Sequence, residues 1–138
     1  MPSAPRGRRI AIFLTSALVA LAATGVAACG QSEEDKVRDV LTNVNDAAKS
    51  GDTGELCGLL ADDALEQAYG AKGDEGKKNC EETLGQNVDA LKKDAEGKFE
   101  IKDVKIDGDN ATATVTDAEK DNPVKLRKVD GDWKIGRS

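Results

Sequence analysis

Few residues of this 138-residue chain carry reactive groups in an arrangement that chemistry can use. It contains no histidine, so the commonest general base and the commonest metal ligand are missing. The informative groups are three cysteines: Cys29, Cys57 and Cys80. Cys29 follows Val26-Ala27-Ala28, an aliphatic residue and two small ones. Small side chains at Ala27 and Ala28 let a peptidase reach the bond before Cys29, whose thiolate can attack a phospholipid-derived diacylglyceryl group. Cleavage would then leave a new N-terminus bearing fatty chains. In an exported chain the even remainder, Cys57 and Cys80, reads as one disulfide. Its loop of about 22 residues would stabilise by roughly 3 kcal/mol in the chain-entropy model. Two buried free thiols are the alternative. Neither cysteine has a second Cys or His at ligand spacing, so neither a metal site nor a cofactor is expected.

Other motifs carry less. Asp107 and Asp109 have calcium-loop spacing, but Ala111 occupies the next ligand place and no glutamate closes the loop. In YGAKGDEGKK, Gly70 and Gly76 are one residue too far apart for a phosphate loop, and Lys77 is followed by Lys78 rather than Ser or Thr. That stretch is expected to be a solvated connection. Asn110-Ala111-Thr112 is a glycosylation sequon, which a bacterial export signal makes moot.

The start of the chain gives Cys29 its context. MPSAPRGRR is basic, and residues 10–28 are uncharged. Together they read as a secretory signal peptide, and Val26-Ala27-Ala28-Cys29 at its end as a lipobox. Arg8-Arg9 raises the twin-arginine export route, though Ile10-Ala11-Ile12 fits it poorly. The uncharged run could also cross a bilayer as an uncleaved span, at about 1.5 Å per residue against about 30 Å of hydrocarbon. Both readings leave the arginines in the cytoplasm and export the rest. The expected division is therefore a signal peptide at 1–28, a tether at 29–34 and a domain at 35–138. Lipoproteins of this type carry two or three acyl chains, at roughly 0.8 kcal/mol per buried methylene, and one chain alone holds only marginally. The expected location is the outer face of the cell membrane, with the domain held close to it.

Three of the 20 basic residues and none of the 26 acidic ones precede Cys29, so residues 29–138 carry 17 basic against 26 acidic side chains. A body that acidic is repelled by nucleic acid and by anionic headgroups, and no nucleic-acid partner is expected.

The elements follow from periodicity. Val37, Val40, Leu41, Val44 and Ala48 form a helical stripe, with Ser32 as its cap, Glu33, Glu34 and Asp35 at its positive end, and Ser50-Gly51 as its stop. Asp52 with Glu55 reads as a capping box opening a short helix whose face is Leu56, Leu59 and Leu60. Cys80, Leu84, Val88, Leu91 and Ala95 predict one third helix over about 77–95. After Gly97 the period becomes two. Phe99 and Ile101, then Val104 and Ile106, change parity, which predicts a bulge near Lys102-Asp103. Ala111, Ala113 and Val115 should point inward, and Thr112, Thr114 and Thr116 outward. Turns are expected at 107–110 and at Asp121-Asn122-Pro123. Val124 and Leu126 should line the next strand, and Asp130-Gly131 a hairpin leading to Trp133 and Ile135. The fold class is α+β: three helices packed on a curved antiparallel sheet of about four strands, preceded by a signal-peptide helix.

The first helix with its AAKSGD exit, LCGLLADDAL, the later Cys80 and the terminal VDGDWKIG hairpin resemble the nuclear-transport-factor-2-like fold, notably small actinobacterial lipoproteins of unknown function. The resemblance covers nearly all of Asp35 to Gly136. It implies a curved sheet and helices forming a cone, often with a pocket at the open end. Ketosteroid-isomerase-like and SnoaL-like enzymes place Asp, Tyr or His inside that cone. Here the candidate pocket residues are Tyr69, Phe99 and Trp133. The expected function is a non-catalytic, membrane-anchored module binding an unknown protein or small molecule. The enzymatic alternative is an isomerase or cyclase using a buried carboxylate, for which Asp103 and Glu82 are the best offers. A polar outer sheet face, with Thr112, Thr114, Thr116, Lys125 and Arg127, predicts a monomer or weak dimer.

Overall fold

The computed structural model describes residues 30–117 and 119–137; the expected signal peptide, its lipobox and Cys29 lie outside the described residues. Five helices precede four strands: α1 (Glu33–Ser50), α2 (Thr53–Gly58), α3 (Asp62–Tyr69), α4 (Gly73–Gly85), α5 (Val88–Ala95), β1 (Phe99–Asp107), β2 (Asn110–Asp117), β3 (Lys120–Val129) and β4 (Asp132–Ile135). Among the described residues no helix is long and apolar enough to cross a membrane.

α1 forms as its sequence predicts. The Ser32 hydroxyl accepts the Asp35 N–H at 3.1 Å and the Asp35 carboxylate accepts the Ser32 N–H at 3.4 Å, a reciprocal cap. At the far end Gly51 is left-handed (φ 75°). Its N–H reaches Ala48 O, and the Asp52 N–H reaches Ala47 O at 2.9 Å. These two bonds satisfy the last carbonyls of α1. They also limit the cap of α2. The Asp52 carboxylate accepts the Glu55 N–H at 2.9 Å, but the Asp52 N–H already serves α1. The expected capping box is therefore one-sided.

Five helices replace the three expected. The stretch read as a solvated loop is helical from Gly73 onward, and only Gly70 to Lys72 remains a connection. Glycine is disfavoured in helices by about 1 kcal/mol relative to alanine, which is why the sequence reads as loop. Packing reverses that preference at Gly76, which is buried: a β-carbon there would collide with the Ala71 carbonyl oxygen. The single helix expected over 77–95 breaks at Gln86-Asn87. Its stripe serves two different neighbours. Cys80 and Leu84 pack with Cys57 and Leu65, whereas α5 packs on α1. One straight helix cannot address both.

The sheet is an antiparallel meander in the order β1-β2-β3-β4. The expected bulge lies between Ile101 and Asp103 in the β1–β2 register. The turn expected at Asp121-Asn122-Pro123 is strand instead: the chain reverses between paired Asp117 and Lys120, so Pro123 lies opposite Thr114. Alternating from that closing pair, the Pro123 nitrogen faces the outer edge of β3, where no partner N–H is required. β4 reaches only Leu126 on that edge. The last hairpin follows expectation, with Asp130 (φ 53°) and Gly131 (φ 90°) both left-handed.

Ala111, Ala113 and Val115 of β2 are buried against Val37 and Leu41 of α1, Leu126 and Trp133. Small alanines on the central strand let α1 come close to the sheet. A second cluster, Cys57, Leu65 and Cys80, is closed by a Cys57–Cys80 disulfide joining α2 to α4, with the Cα atoms 6.0 Å apart. The α2–α3 link also covers the outer edge of β4: the Ile135 N–H donates to Leu59 O and the Ala61 N–H to Ile135 O, both at 2.8 Å.

Candidate functional site

A cavity of about 280 Å³ opens between the C-terminal half of α1, α5 and the inward face of the sheet. α1 contributes Val44 and Ala48, α5 contributes Leu91 and Ala95, and the sheet contributes Phe99, Val115 and Val124. These positions are inward for local reasons. Val44 and Ala48 continue the α1 stripe, Val115 continues the β2 parity, and Phe99 lies opposite Asp117 at the start of β1. Four polar side chains complete the lining: Asn45, Asp94, Asp117 and Asn122. Among the described residues no basic side chain lines it. Three surface depressions are larger, about 470 Å³ beside Tyr69, about 400 Å³ beside Trp133 and about 290 Å³ beside Lys77 and Asp130. They flank the β3–β4 end of the domain rather than the concave face, so the cavity bounded by α1, α5 and the sheet is the better candidate.

The three residues expected to share a pocket do not share one. Phe99 lines the cavity. Tyr69, at the end of α3, packs on the Cys57–Leu65–Cys80 cluster, and burial raises its phenol above its ordinary pKa. Trp133 is core, 4% exposed, and its indole N–H donates to Glu33 Oε2 at 2.7 Å. Asp103 and Glu82, the carboxylates considered for catalysis, are exposed and do not line the cavity. The cavity carboxylates, Asp94 and Asp117, were not singled out in the sequence. Asp117 carries a usable signal, since it continues the Ala113, Val115 parity. Asp94 carries none, because its neighbours are set by how α5 docks.

The strongest electrostatic cluster lies elsewhere. Glu33 Oε2 also meets Lys128 Nζ at 2.7 Å, and Oε1 meets Lys36 Nζ at 2.9 Å. The Lys128 ammonium sits 5.2 Å from the Trp133 ring centroid, a cation–π contact. Hydrogen bonds from Lys128, then Lys36 and Trp133, lower the Glu33 carboxyl from its ordinary 4.5 to about 2. A carboxyl with a depressed folded-state pKa adds stability above its unfolded value and loses it as pH falls toward the folded one. Wild-type stability should therefore decline between pH 4.5 and 2 more steeply than that of Glu33→Gln. Urea titrations at pH 5 and 2.5 would show this, and parallel slopes would refute it.

On the outer sheet face, Thr116 is buried rather than solvent-facing as expected. Its hydroxyl donates to Asp121 Oδ1 at 2.6 Å, and Lys102 Nζ meets the same oxygen at 2.7 Å. The Asp121 carboxyl is accordingly held below its ordinary pKa, by Lys102 first and Thr116 second. Arg127 on this face pairs with Asp63 of α3 at 2.9 Å.

The arrangement of helices over one concave four-stranded meander can be compared with solved structures. One is a candidate NTF2-like transpeptidase from Campylobacter jejuni, 23% identical, covering 74% of this chain and 98% of that one with a TM-score of 0.52. The fold is NTF2-like. An NTF-2 like protein of unknown function from Shewanella oneidensis MR-1 is 19% identical over 73% of this chain and 92% of that one, with a TM-score of 0.44. A de novo designed protein with a curved β-sheet is 16% identical over 73% and 91%, with a TM-score of 0.45. No protein-family model and no curated protein matches the chain.

Proposed function

We propose that this NTF2-like domain is a membrane-anchored, extracytoplasmic binding module whose cone cavity holds a small molecule. The observation that carries the binding reading is the cavity itself. Its walls are apolar and its polar groups are carboxylates and carboxamides at the rim, which suits capture more than bond making. The enzymatic alternative needs a carboxylate buried in the cone. Asp94 and Asp117 are both exposed at its rim, so that reading is not favoured. The binding reading predicts that hexanol shifts the methyl resonances of Leu91 and Val115, and that Leu91→Trp, which fills the cavity, abolishes the effect. Unmoved methyls would sink it.

The anchor reading rests on Val26-Ala27-Ala28-Cys29 behind an Arg-rich, then uncharged, start. The helix cap at Ser32 leaves only Gly30 and Gln31 as tether, about 10 Å of extended chain from Cys29. The cavity flanks Val44 to Ala48, about 18–24 Å along α1 from Ser32. An anchored domain would thus hold its cavity at the end far from the lipid. Cys29→Ser should abolish palmitate labelling, leave the signal peptide uncleaved and move the intact mass accordingly. Identical labelling of both forms would refute lipidation at this sulfur.

A further inference from the structure

The cavity lining is chemically one-sided, and this specifies its ligand beyond the binding reading, on which the inference rests. Asp94 comes from α5 and Asp117 from β2, elements that meet only through the fold, yet both carboxylates border the same apolar hollow. Asn45 and Asn122 add carboxamide oxygens that can accept hydrogen bonds. Of the nearby cations, Lys98 pairs with Glu100 at 3.3 Å and Lys102 with Asp121 on the other face, while Lys49, Lys92 and Lys93 do not line the cavity. Lys120 lies opposite Asp117 in the register but does not line the cavity. The volume, about 280 Å³, exceeds the ~150 Å³ that suffices for benzene and so admits a body of about six carbons. We propose that the cavity takes a small amphipathic cation, with an alkyl body on Val44, Leu91, Phe99 and Val115 and an ammonium head between Asp94 and Asp117. An anionic amphiphile of equal size would place its carboxylate against two like charges and is disfavoured.

The test uses the full-length protein in zwitterionic nanodiscs at pH 7, with hexylammonium, hexanol and hexanoate titrated against the Leu91 and Val115 methyl resonances. Hexylammonium should bind roughly fivefold more tightly than hexanol, the gain of a partly exposed ion pair, and hexanoate more weakly than either. The double variant Asp94→Asn, Asp117→Asn should lose the preference for the amine over the alcohol. Retained hexanol binding also shows that the variant is folded. Should the double variant misfold, Asp94→Asn alone, an exposed position near the end of α5, should halve the preference or better. Equal affinities, or hexanoate binding tightest while hexanol still binds, would overturn the cation inference and leave the binding reading standing. No response to any of the three would overturn both.

Discussion

Replacing Cys57 and Cys80 together by alanine is expected to cost about 3 kcal/mol of stability, read as a lower urea midpoint and a melting temperature reduced by roughly 10–20 °C. The number comes from the loop that the bridge closes, 23 residues in separation, whose conformational freedom the unfolded chain regains. Two features of the structure make this loss consequential. Both cysteines are fully buried, and the cluster they form with Leu65 is separate from the main core. Among the described residues, Leu60, Tyr69 and Leu84 reinforce it. Without the bridge, α3 and α4 are held by a small apolar patch, so proteolysis should cut first in residues 70–72. A melting temperature unchanged by dithiothreitol or by the double substitution would show that the cross-link does not limit the unfolded state.

Trp133→Ala should be the most damaging single change, at about 3–5 kcal/mol. The indole fills the space between α1 and the β3–β4 hairpin and packs with Val37, Leu41 and Leu126. Truncation leaves a cavity there and also removes the donor that, with Lys128, fixes Glu33. Trp133→Phe separates the two contributions. It keeps most of the apolar packing and loses only the hydrogen bond to a charged, solvent-exposed acceptor, so its loss should be much the smaller. Equal losses in the two variants, by denaturant titration, would mean that the polar link rather than the packing dominates.

Both predictions concern residues whose chemistry was visible in the sequence but whose roles were not equally so. The bridge follows from the cysteine count and the spacing. The tryptophan was a candidate for the pocket as well as for the core, and only the approach of α1 assigns it to the core. The ion pair and the indole hydrogen bond at Glu33 join residues about a hundred positions apart in the chain, and no local pattern announces them.

The amino-acid sequence by itself determined those features that a few neighbouring residues decide. Ser32 and Asp35 cap α1, Gly51 ends it, the parity slip at Ile101–Asp103 sets the bulge, and Asp130-Gly131 makes the final turn. Each rests on local sterics and hydrogen bonding. Tertiary structure alone decided the rest. Gly76 is helical because α4 packs tightly against Ala71 and Leu65. The α4–α5 break exists because one stripe serves two neighbours, the Cys57–Cys80 cluster and α1. Pro123 is tolerated within β3 because β4 stops short of it. The cavity is the extreme case: Val44, Leu91, Phe99 and Val124 meet only when helices close over a curved sheet, and contacts between residues so distant in sequence leave no periodic trace in it.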